Sequence, residues 1–256
     1  MQRRVVPLPP HPTVPVPLHP TLHRPTTVIE LIAHRGASRE HLENTLPAFQ
    51  RALDLGADGV ELDVHCTADG TVLVHHDAAL RGEPADPALA GRPIAALTTA
   101  EVASFRLPDG GSVPSLEEVA QLLRARATLY CELKGAGTAE PALKVLRRYG
   151  GPCAVHSFDH RMVAEAAAYA PEIPRGVLEV SRHVDPTNAP ASVEARDLWQ
   201  LAEHVDEPLV RAMHAVGGRV IAWTANSPDA IERLASCGVD ALCTDDVALA
   251  RQVLGL

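Results

Sequence analysis

Residues 60–77 read VELDVHCTADGTVLVHHD, and the fold that we predict depends on how this stretch is placed. Apolar and polar residues alternate on either side of Asp69-Gly70, which is typical of two strands joined by a tight turn. Successive side chains on a strand point to opposite faces, so Glu61 and Asp63 share one face. Two carboxylates on one face of an apolar strand repel each other unless a cation lies between them. The stretch therefore predicts a charged site on a sheet.

Strand patterns alternate with Ala- and Leu-rich helical patterns from residue 28 onward. This alternation over about 230 residues predicts an α/β fold, and its length favours an irregular (β/α)8 TIM-type barrel. There are nine strand candidates for eight barrel positions. Two of them, 58–64 and 71–77, leave no room for a crossover helix between them and form a hairpin. The candidate strands are 28–34, 58–64, 71–77, 128–134, 153–158, 175–180, 197–202, 219–224 and 239–245. The candidate helices are 44–56, 115–127, 140–150, 160–170, 208–218 and 228–238.

The N-terminal segment differs in composition from the rest of the chain. Residues 1–27 hold eight of the 22 prolines, and such a segment favours extended polyproline II over a packed core. We therefore predict a disordered tail over 1–27 and one barrel domain over 28–256.

Charge and cysteine content exclude several classes of protein. The formal net charge of −9 argues against a nucleic-acid partner. The five cysteines are scattered without a CxxC pattern, which indicates free, buried thiols in a reducing compartment. No apolar run is long enough for a membrane span. We expect a cytoplasmic protein with no stable membrane association.

Polar side chains gather at the ends of the predicted strands, where the active site of a (β/α)8 barrel lies. Glu61, Asp63 and Glu132 form an all-oxygen set, which favours one hard divalent cation, Mg2+ or Ca2+. His34 and His76 are acid-base candidates because imidazole titrates near neutral pH. A second interpretation has both histidines bind Zn2+ or Mn2+ with the carboxylates. No serine or cysteine lies in a nucleophile motif and no P-loop occurs, so metal-assisted hydrolysis remains.

Seven stretches, in order along the chain, resemble the glycerophosphodiester phosphodiesterase family. They are AHRGASREHLENTLPAFQRAL (33–53), GADGVELDVHCTADGTVLVHHD (56–77), VPSLEEV (113–119), ELKG (132–135), HSFDH (156–160), AWTAN (222–226) and GVDALCTDD (238–246). The resemblance implies an irregular barrel of the phospholipase-C-like phosphodiesterase architecture. It also implies a small-molecule substrate, a glycerophosphodiester that is hydrolysed to glycerol 3-phosphate and an alcohol.

The resemblance assigns a role to each matching residue. The acid-base pair is His34 and His76, and the ligands of one divalent cation are Glu61, Asp63 and Glu132. The substrate-binding residues are Arg35, Glu43, Lys134 and Trp223. In the route proposed for the family, the glycerol 2-hydroxyl attacks phosphorus and water then opens the cyclic phosphate. The substrate then supplies its own nucleophile.

One stretch departs from the family pattern. After the histidine and aspartate the family continues with a leucine and, two positions on, an Arg-Thr pair, whereas here Arg81 follows Leu80 directly and the threonine is missing. The next segment, 82–112, is rich in proline and glycine, with a short helical pattern at TTAEVASF. Because this region helps to cover the site in the family, head-group selectivity stays open. A lysophospholipase D on the same fold and a non-catalytic phosphate-binding barrel are the alternatives.

The hairpin register predicts which of two adjacent histidines enters the site. A four-residue loop over 67–70 places position 66 opposite 71, Glu61 opposite His76 and Asp63 opposite Val74. Cross-strand partners share a face, so this register puts His76 with the carboxylates and His75 on the other face. A loop with an odd number of residues exchanges the two faces.

Overall fold

The structure, a computed structural model, describes residues 29–256, and the tail predicted over 1–27 lies outside the described residues. Eight parallel strands form a closed barrel, in the order β1-β9-β8-β7-β6-β5-β4-β2, with β1 also paired to β2. This confirms the predicted (β/α)8 barrel. The strands are β1 (Glu30–His34), β2 (Gly59–Cys66), β3 (Val72–Val74), β4 (Thr128–Leu133), β5 (Cys153–Ser157), β6 (Arg175–Glu179), β7 (Asp197–Leu201), β8 (Arg219–Trp223) and β9 (Ala241–Thr244).

Most helices surround the barrel and pack their apolar faces against it. They are α1 (Leu46–Asp54), α2 (Thr99–Val102), α3 (Leu116–Leu123), α4 (Ala139–Tyr149), α5 (His160–Tyr169), α6 (Asn188–Ser192), α7 (Glu207–Ala215), α8 (Pro228–Cys237) and α9 (Val247–Leu254). Side-chain caps fix where several begin: Thr98 and Ser115 each form a capping box with a glutamate three residues on. The patterns above predict neither α6 nor α9.

β3 lies outside the barrel, which resolves the excess of strand candidates. Among the strands it pairs with β2, antiparallel, and places Val64 opposite Val74 and Cys66 opposite Val72. The predicted pairing of 66 with 71 is therefore wrong by one residue. The reason is the loop: the Thr67 N–H donates to the Thr71 carbonyl and the Thr71 N–H to Thr67 Oγ1, both at 2.9 Å. These bonds leave a loop of three residues, 68–70, instead of the predicted four.

The corrected register exchanges the faces, yet His76 still lines the barrel cavity and His75 does not. β3 ends at Val74, so the alternation of faces does not extend to the two histidines. The His75 N–H still donates to the Asp63 carbonyl at 2.9 Å. His65 Nε2 then contacts the His76 carbonyl at 3.1 Å, which holds the chain where it leaves the strand.

The segment after β3 builds a small core of its own. It contains 3-10 turns at Pro87–Leu89 and Ile94–Ala96, followed by α2, which confirms the short helix in an otherwise irregular stretch. Its buried side chains are Leu73, Leu80, Leu89, Ile94, Leu97, Val102 and Phe105. The segment is thereby fixed beside the carboxyl end of β2.

The barrel interior has one apolar layer between two polar ends. The layer includes Ile32, Tyr130, Leu178, Trp199, Ile221 and Cys243. At the amino ends of the strands, Arg219 donates to Glu30 at 2.5 Å and lies 3.8 Å from the buried Asp197. An open cleft of about 540 Å3 adjoins this ion-paired end. The polar residues that the sequence analysis singled out lie at the other end.

The expectations about cysteines and membrane spans can be checked within residues 29–256. All five cysteines are free thiols there, as predicted, but only Cys131 and Cys243 are fully buried. No helix in this part of the chain is both long and apolar enough to cross a bilayer.

Gly36 provides a test of how tightly β1 is joined to α1. Its φ is +84°, and a Cβ there would lie 2.7 Å from the Ala48 carbonyl carbon. We expect Gly36→Ala to lower the free energy of unfolding by roughly 2–5 kcal/mol, because left-handed strain and overpacking add. Gly70 is the matched control: its φ is +92° and nothing lies within 4 Å. Gly70→Ala should cost only about 1–2 kcal/mol. Urea denaturation measures both variants, and equal losses would contradict the packing argument.

Candidate active site

A cavity of about 250 Å3 opens at the carboxyl ends of the barrel strands. Seven of the nine predicted site residues line it: His34, Arg35, Glu61, His76, Glu132, Lys134 and Trp223. The remaining two contact this set from outside the lining. Asp63 is fully buried 3.2 Å from Arg35 Nε, and Glu43 accepts a hydrogen bond from Arg35 Nη1 at 3.1 Å.

The carboxylates divide into two groups. Ligand atoms of Glu61, Glu132 and His156 lie within 4.8 Å of one another, and all three side chains are buried. Asp63 lies outside this group, because Asn44 Nδ2 donates to its Oδ2 at 2.8 Å and two cations flank it. The structure therefore brings together two of the three predicted metal ligands and adds a histidine.

Lys134 supplies a positive charge of the kind that the carboxylates in residues 60–77 require. Its Nζ lies 3.1 Å from Asp63 Oδ1 and 3.0 Å from Glu132 Oε1. Burial raises the pKa of Asp63, but Lys134 and Arg35 outweigh burial and hold that pKa well below its usual range. Burial and the neighbouring Asp63 instead raise the pKa of Glu132 well above its usual range, although Lys134 opposes them. Without a further cation, this end of the barrel favours a proton on Glu132.

His34 is oriented by the carboxylate of Asp245, which directly follows β9. Its Nδ1 lies 2.6 Å from Asp245 Oδ1, and Asp245 accepts further hydrogen bonds from Ser38 and Asn226. Burial lowers the pKa of His34, but the hydrogen bond to Asp245 and the nearby Glu61 outweigh it, so the pKa is raised. With Nδ1 bonded to Asp245, Nε2 is the ring nitrogen left for acid-base work.

His76 has a similar arrangement. Its Nδ1 lies 2.8 Å from Asp77 Oδ1, and Arg81 donates to the other Asp77 oxygen. The bond from Arg81, with that of His76, lowers the pKa of Asp77 to about 2. Arg81 also donates to Glu43 at 3.3 Å. Arg81, at which the chain departs from the family pattern, is thus part of the site.

Two polar residues near these strand ends are bonded outside the cavity. The buried His75 Nε2 lies 3.2 Å from the Arg81 N–H, away from the cavity. The Ser157 hydroxyl donates to the Leu133 carbonyl at 2.8 Å, so it ties β5 to β4. Neither side chain lines the cavity.

The sequence analysis missed several residues of the cavity wall. His156, Phe158 and Trp199 line it, and the first two occur only within the quoted HSFDH stretch. The strand register contained a signal for His156, because β4 and β5 place it beside Glu132. Asp245 ends the strand predicted over 239–245, but the sequence assigns it no role.

We expect Asp245→Asn to lower the pKa of His34, because a neutral amide no longer stabilises the imidazolium. An NMR titration of the histidine Cε1 protons measures this change. Asp54→Asn is the control, since Asp54 is exposed on α1 and bonds only Gln50 among the contacts described. An unchanged or raised pKa of His34 in Asp245→Asn would show that Asp245 does not set its charge.

Comparison with known proteins agrees with this geometry. The model of the glycerophosphoryl diester phosphodiesterase family matches residues 34–249. A glycerophosphodiester phosphodiesterase from Caldanaerobacter subterraneus subsp. tengcongensis is 31% identical over 232 residues, which cover 84% of this chain and 93% of the relative.

Solved structures give the same assignment. A glycerophosphodiester phosphodiesterase from Agrobacterium tumefaciens is similar with a TM-score of 0.77 at 25% identity, covering 88% of this chain and 100% of that one. The fold is shared with an Oleispira antarctica phosphodiesterase solved in complex with the product sn-glycerol-3-phosphate (TM-score 0.80, 24% identity, 89% and 97% covered). The chain belongs to the glycerophosphoryl diester phosphodiesterase family and is a hydrolase of phosphoric diesters.

Proposed function

We propose that this enzyme hydrolyses glycerophosphodiesters to glycerol 3-phosphate and an alcohol with the help of a divalent cation. One observation carries the proposal: a single cavity holds two carboxylate-bonded histidines, two cationic side chains and a buried acidic cluster. A phosphodiester is anionic, and its hydrolysis requires charge neutralisation together with one proton acceptor and one proton donor. The bound product in the Oleispira antarctica structure supports the glycerol 3-phosphate half of the substrate.

Arg35 and Lys134 are the residues that we assign to the substrate phosphate. Both line the cavity, and Glu43 orients Arg35 through the hydrogen bond at 3.1 Å. Trp223 is assigned to substrate binding, and its Nε1–H is fixed by the Trp199 carbonyl at 3.1 Å. The ring of Trp223 is therefore held against the cavity.

The donor chemistry of the acidic cluster fits a divalent cation. Glu61 and Glu132 supply oxygen ligands of the kind that Mg2+ and Ca2+ prefer, and Asp63 adds negative charge beside them. When bound, the cation would neutralise charge that develops on the phosphate oxygens.

His34 and His76 are assigned to proton transfer, and the nucleophile is assigned to the substrate's own hydroxyl. The cavity supports that assignment, because its nucleophilic alternatives are poor. Ser157 is bonded to a carbonyl, and burial raises the pKa of the Cys243 thiol well above its usual range. One histidine accepts the proton of the attacking hydroxyl, and the other donates a proton to the leaving alcohol.

An apolar rim favours a second candidate function, hydrolysis of lysophospholipids. Phe158 is 46% exposed and packs edge-on against Trp223, with ring centroids 5.6 Å apart. Val180, directly after β6, is 49% exposed at the same end of the barrel. Such a surface suits the acyl chain of a lysophospholipid as well as a small alcohol.

We expect glycerol 3-phosphate release from glycerophosphocholine with Mg2+ or Ca2+, and its loss after exhaustive EDTA treatment, because the acidic cluster needs a cation to accept an anionic substrate. Enzymatic detection of glycerol 3-phosphate measures this, and full activity in EDTA would contradict it. Choline release from lysophosphatidylcholine is measured in parallel. If lysophospholipid is the substrate, Phe158→Ala should lower that release and leave release from glycerophosphocholine nearly unchanged.

His76→Ala should lower kcat about a hundredfold or more, as removal of a general acid or base does. His75→Ala should keep kcat within roughly tenfold, because His75 bonds the Arg81 backbone outside the cavity. Both kcat values are measured on one glycerophosphodiester, and thermal melts confirm that each variant is folded. The opposite ranking of the two variants would assign the wrong histidine to the site.

A further inference from the structure

His156 is a buried histidine that the proposed chemistry does not use. It lies near the carboxyl end of β5 and is 1% exposed. Parallel pairing with β4 places it beside Glu132. Its ring stacks on Trp199 with centroids 4.0 Å apart and planes 10° apart. Apolar packing alone therefore fixes the plane of this imidazole.

The ring nitrogens of His156 distinguish it from the other two histidines of the cavity. His34 and His76 each place Nδ1 within 2.8 Å of an aspartate oxygen. The Nδ1 of His156 is buried without a hydrogen-bond partner in residues 29–256. Its Nε2 lies 3.7 Å from Glu61 Oε1, too far for a hydrogen bond. Nε2 therefore faces the Glu61 carboxylate without a hydrogen bond to it, and a buried polar atom in this state is costly unless another partner binds it.

The surroundings of Nε2 indicate what that partner is. Glu61, Glu132 and His156 converge within 4.8 Å, a spacing at which one ion can contact all three. Asp63 Oδ2 accepts a hydrogen bond from Asn44 Nδ2 at 2.8 Å, whereas Oδ1 lies 3.1 Å from Lys134 Nζ without a hydrogen bond in residues 29–256. Beside the two glutamates, His156 thus offers the nitrogen donor of the cluster.

We propose that His156 is a nitrogen ligand of the divalent cation, together with Glu61 and Glu132. The proposal rests on the metal dependence proposed above, but it concerns the ligands and not the reaction. It predicts a metal preference that an all-oxygen site would not have. Imidazole favours transition metals, whereas carboxylate and carbonyl oxygens suit Ca2+ and Mg2+. Removing the imidazole should therefore weaken the binding of a transition-metal ion such as Mn2+ more than that of Ca2+.

The probes are Mn2+ and Ca2+, and the readouts are the dissociation constant of each by calorimetry and the nitrogen hyperfine coupling of bound Mn2+ by pulsed EPR. Wild-type protein should show the nitrogen coupling. His156→Phe, which keeps a ring against Trp199, should lose the coupling and bind Mn2+ at least about tenfold more weakly. His156→Asp should also lose the coupling but retain Mn2+ binding, with the preference moved towards Ca2+.

The control is His214→Phe, because His214 lies in the last turn of α7 and bonds Asp240 before β9, at the opposite end of the barrel. It should change neither readout. Wild-type coupling that persists in His156→Phe or His156→Asp, or no coupling in wild type, would overturn the proposal. Binding and coupling are measured without substrate. A protein that shows both but releases no glycerol 3-phosphate would refute the proposed function and leave the ligand assignment standing.

Discussion

The site depends on the burial of three carboxylates at the carboxyl ends of β2 and β4. Glu61, Asp63 and Glu132 are at most 7% exposed. Each ion removed from water costs several kcal/mol even after the protein relaxes, and only close opposite charge offsets that cost. Lys134 lies between Asp63 and Glu132 for this reason, and Arg35 approaches Asp63 from the other side. The residues that we assign to the substrate phosphate are thus also those that make the acidic cluster tolerable.

The barrel architecture separates this charged cluster from the apolar packing that stabilises the fold. Apolar clusters between strands and helices involve outward-facing residues such as Val60, Leu62 and Val64, whose neighbours along β2 are the carboxylates. The inner and outer faces of one strand therefore carry stability and chemistry separately. The amino ends are closed by a different ion-paired group around Arg219 and Glu30, so charge at the carboxyl ends is not needed to plug the barrel.

The barrel, and the gathering of most of the predicted residues at one cavity, could be predicted because both depend on short-range patterns. Alternation fixes the strands, and polar residues at their ends stand out against apolar runs. The hairpin register could not be predicted in this way, because it depends on whether Thr67 and Thr71 close a loop of three or four residues. That choice is set by hydrogen bonds that composition does not reveal. His156 was missed because its importance comes from its neighbour in the sheet, Glu132, which is 24 positions away in the sequence.

The register error left the prediction for His76 intact because His76 is held by side chains beyond β3 and not by strand pairing. Asp77 bonds its Nδ1, and Arg81 bonds Asp77. Arg81 also reaches Glu43, which in turn bonds Arg35. A continuous chain of hydrogen bonds thus joins His76, which we assign to proton transfer, to Arg35, which we assign to the substrate phosphate. Arg81, where the chain departs from the family pattern, is the link in this chain between Asp77 and Glu43, so the departure replaces one local sequence pattern with contacts of its own inside the site.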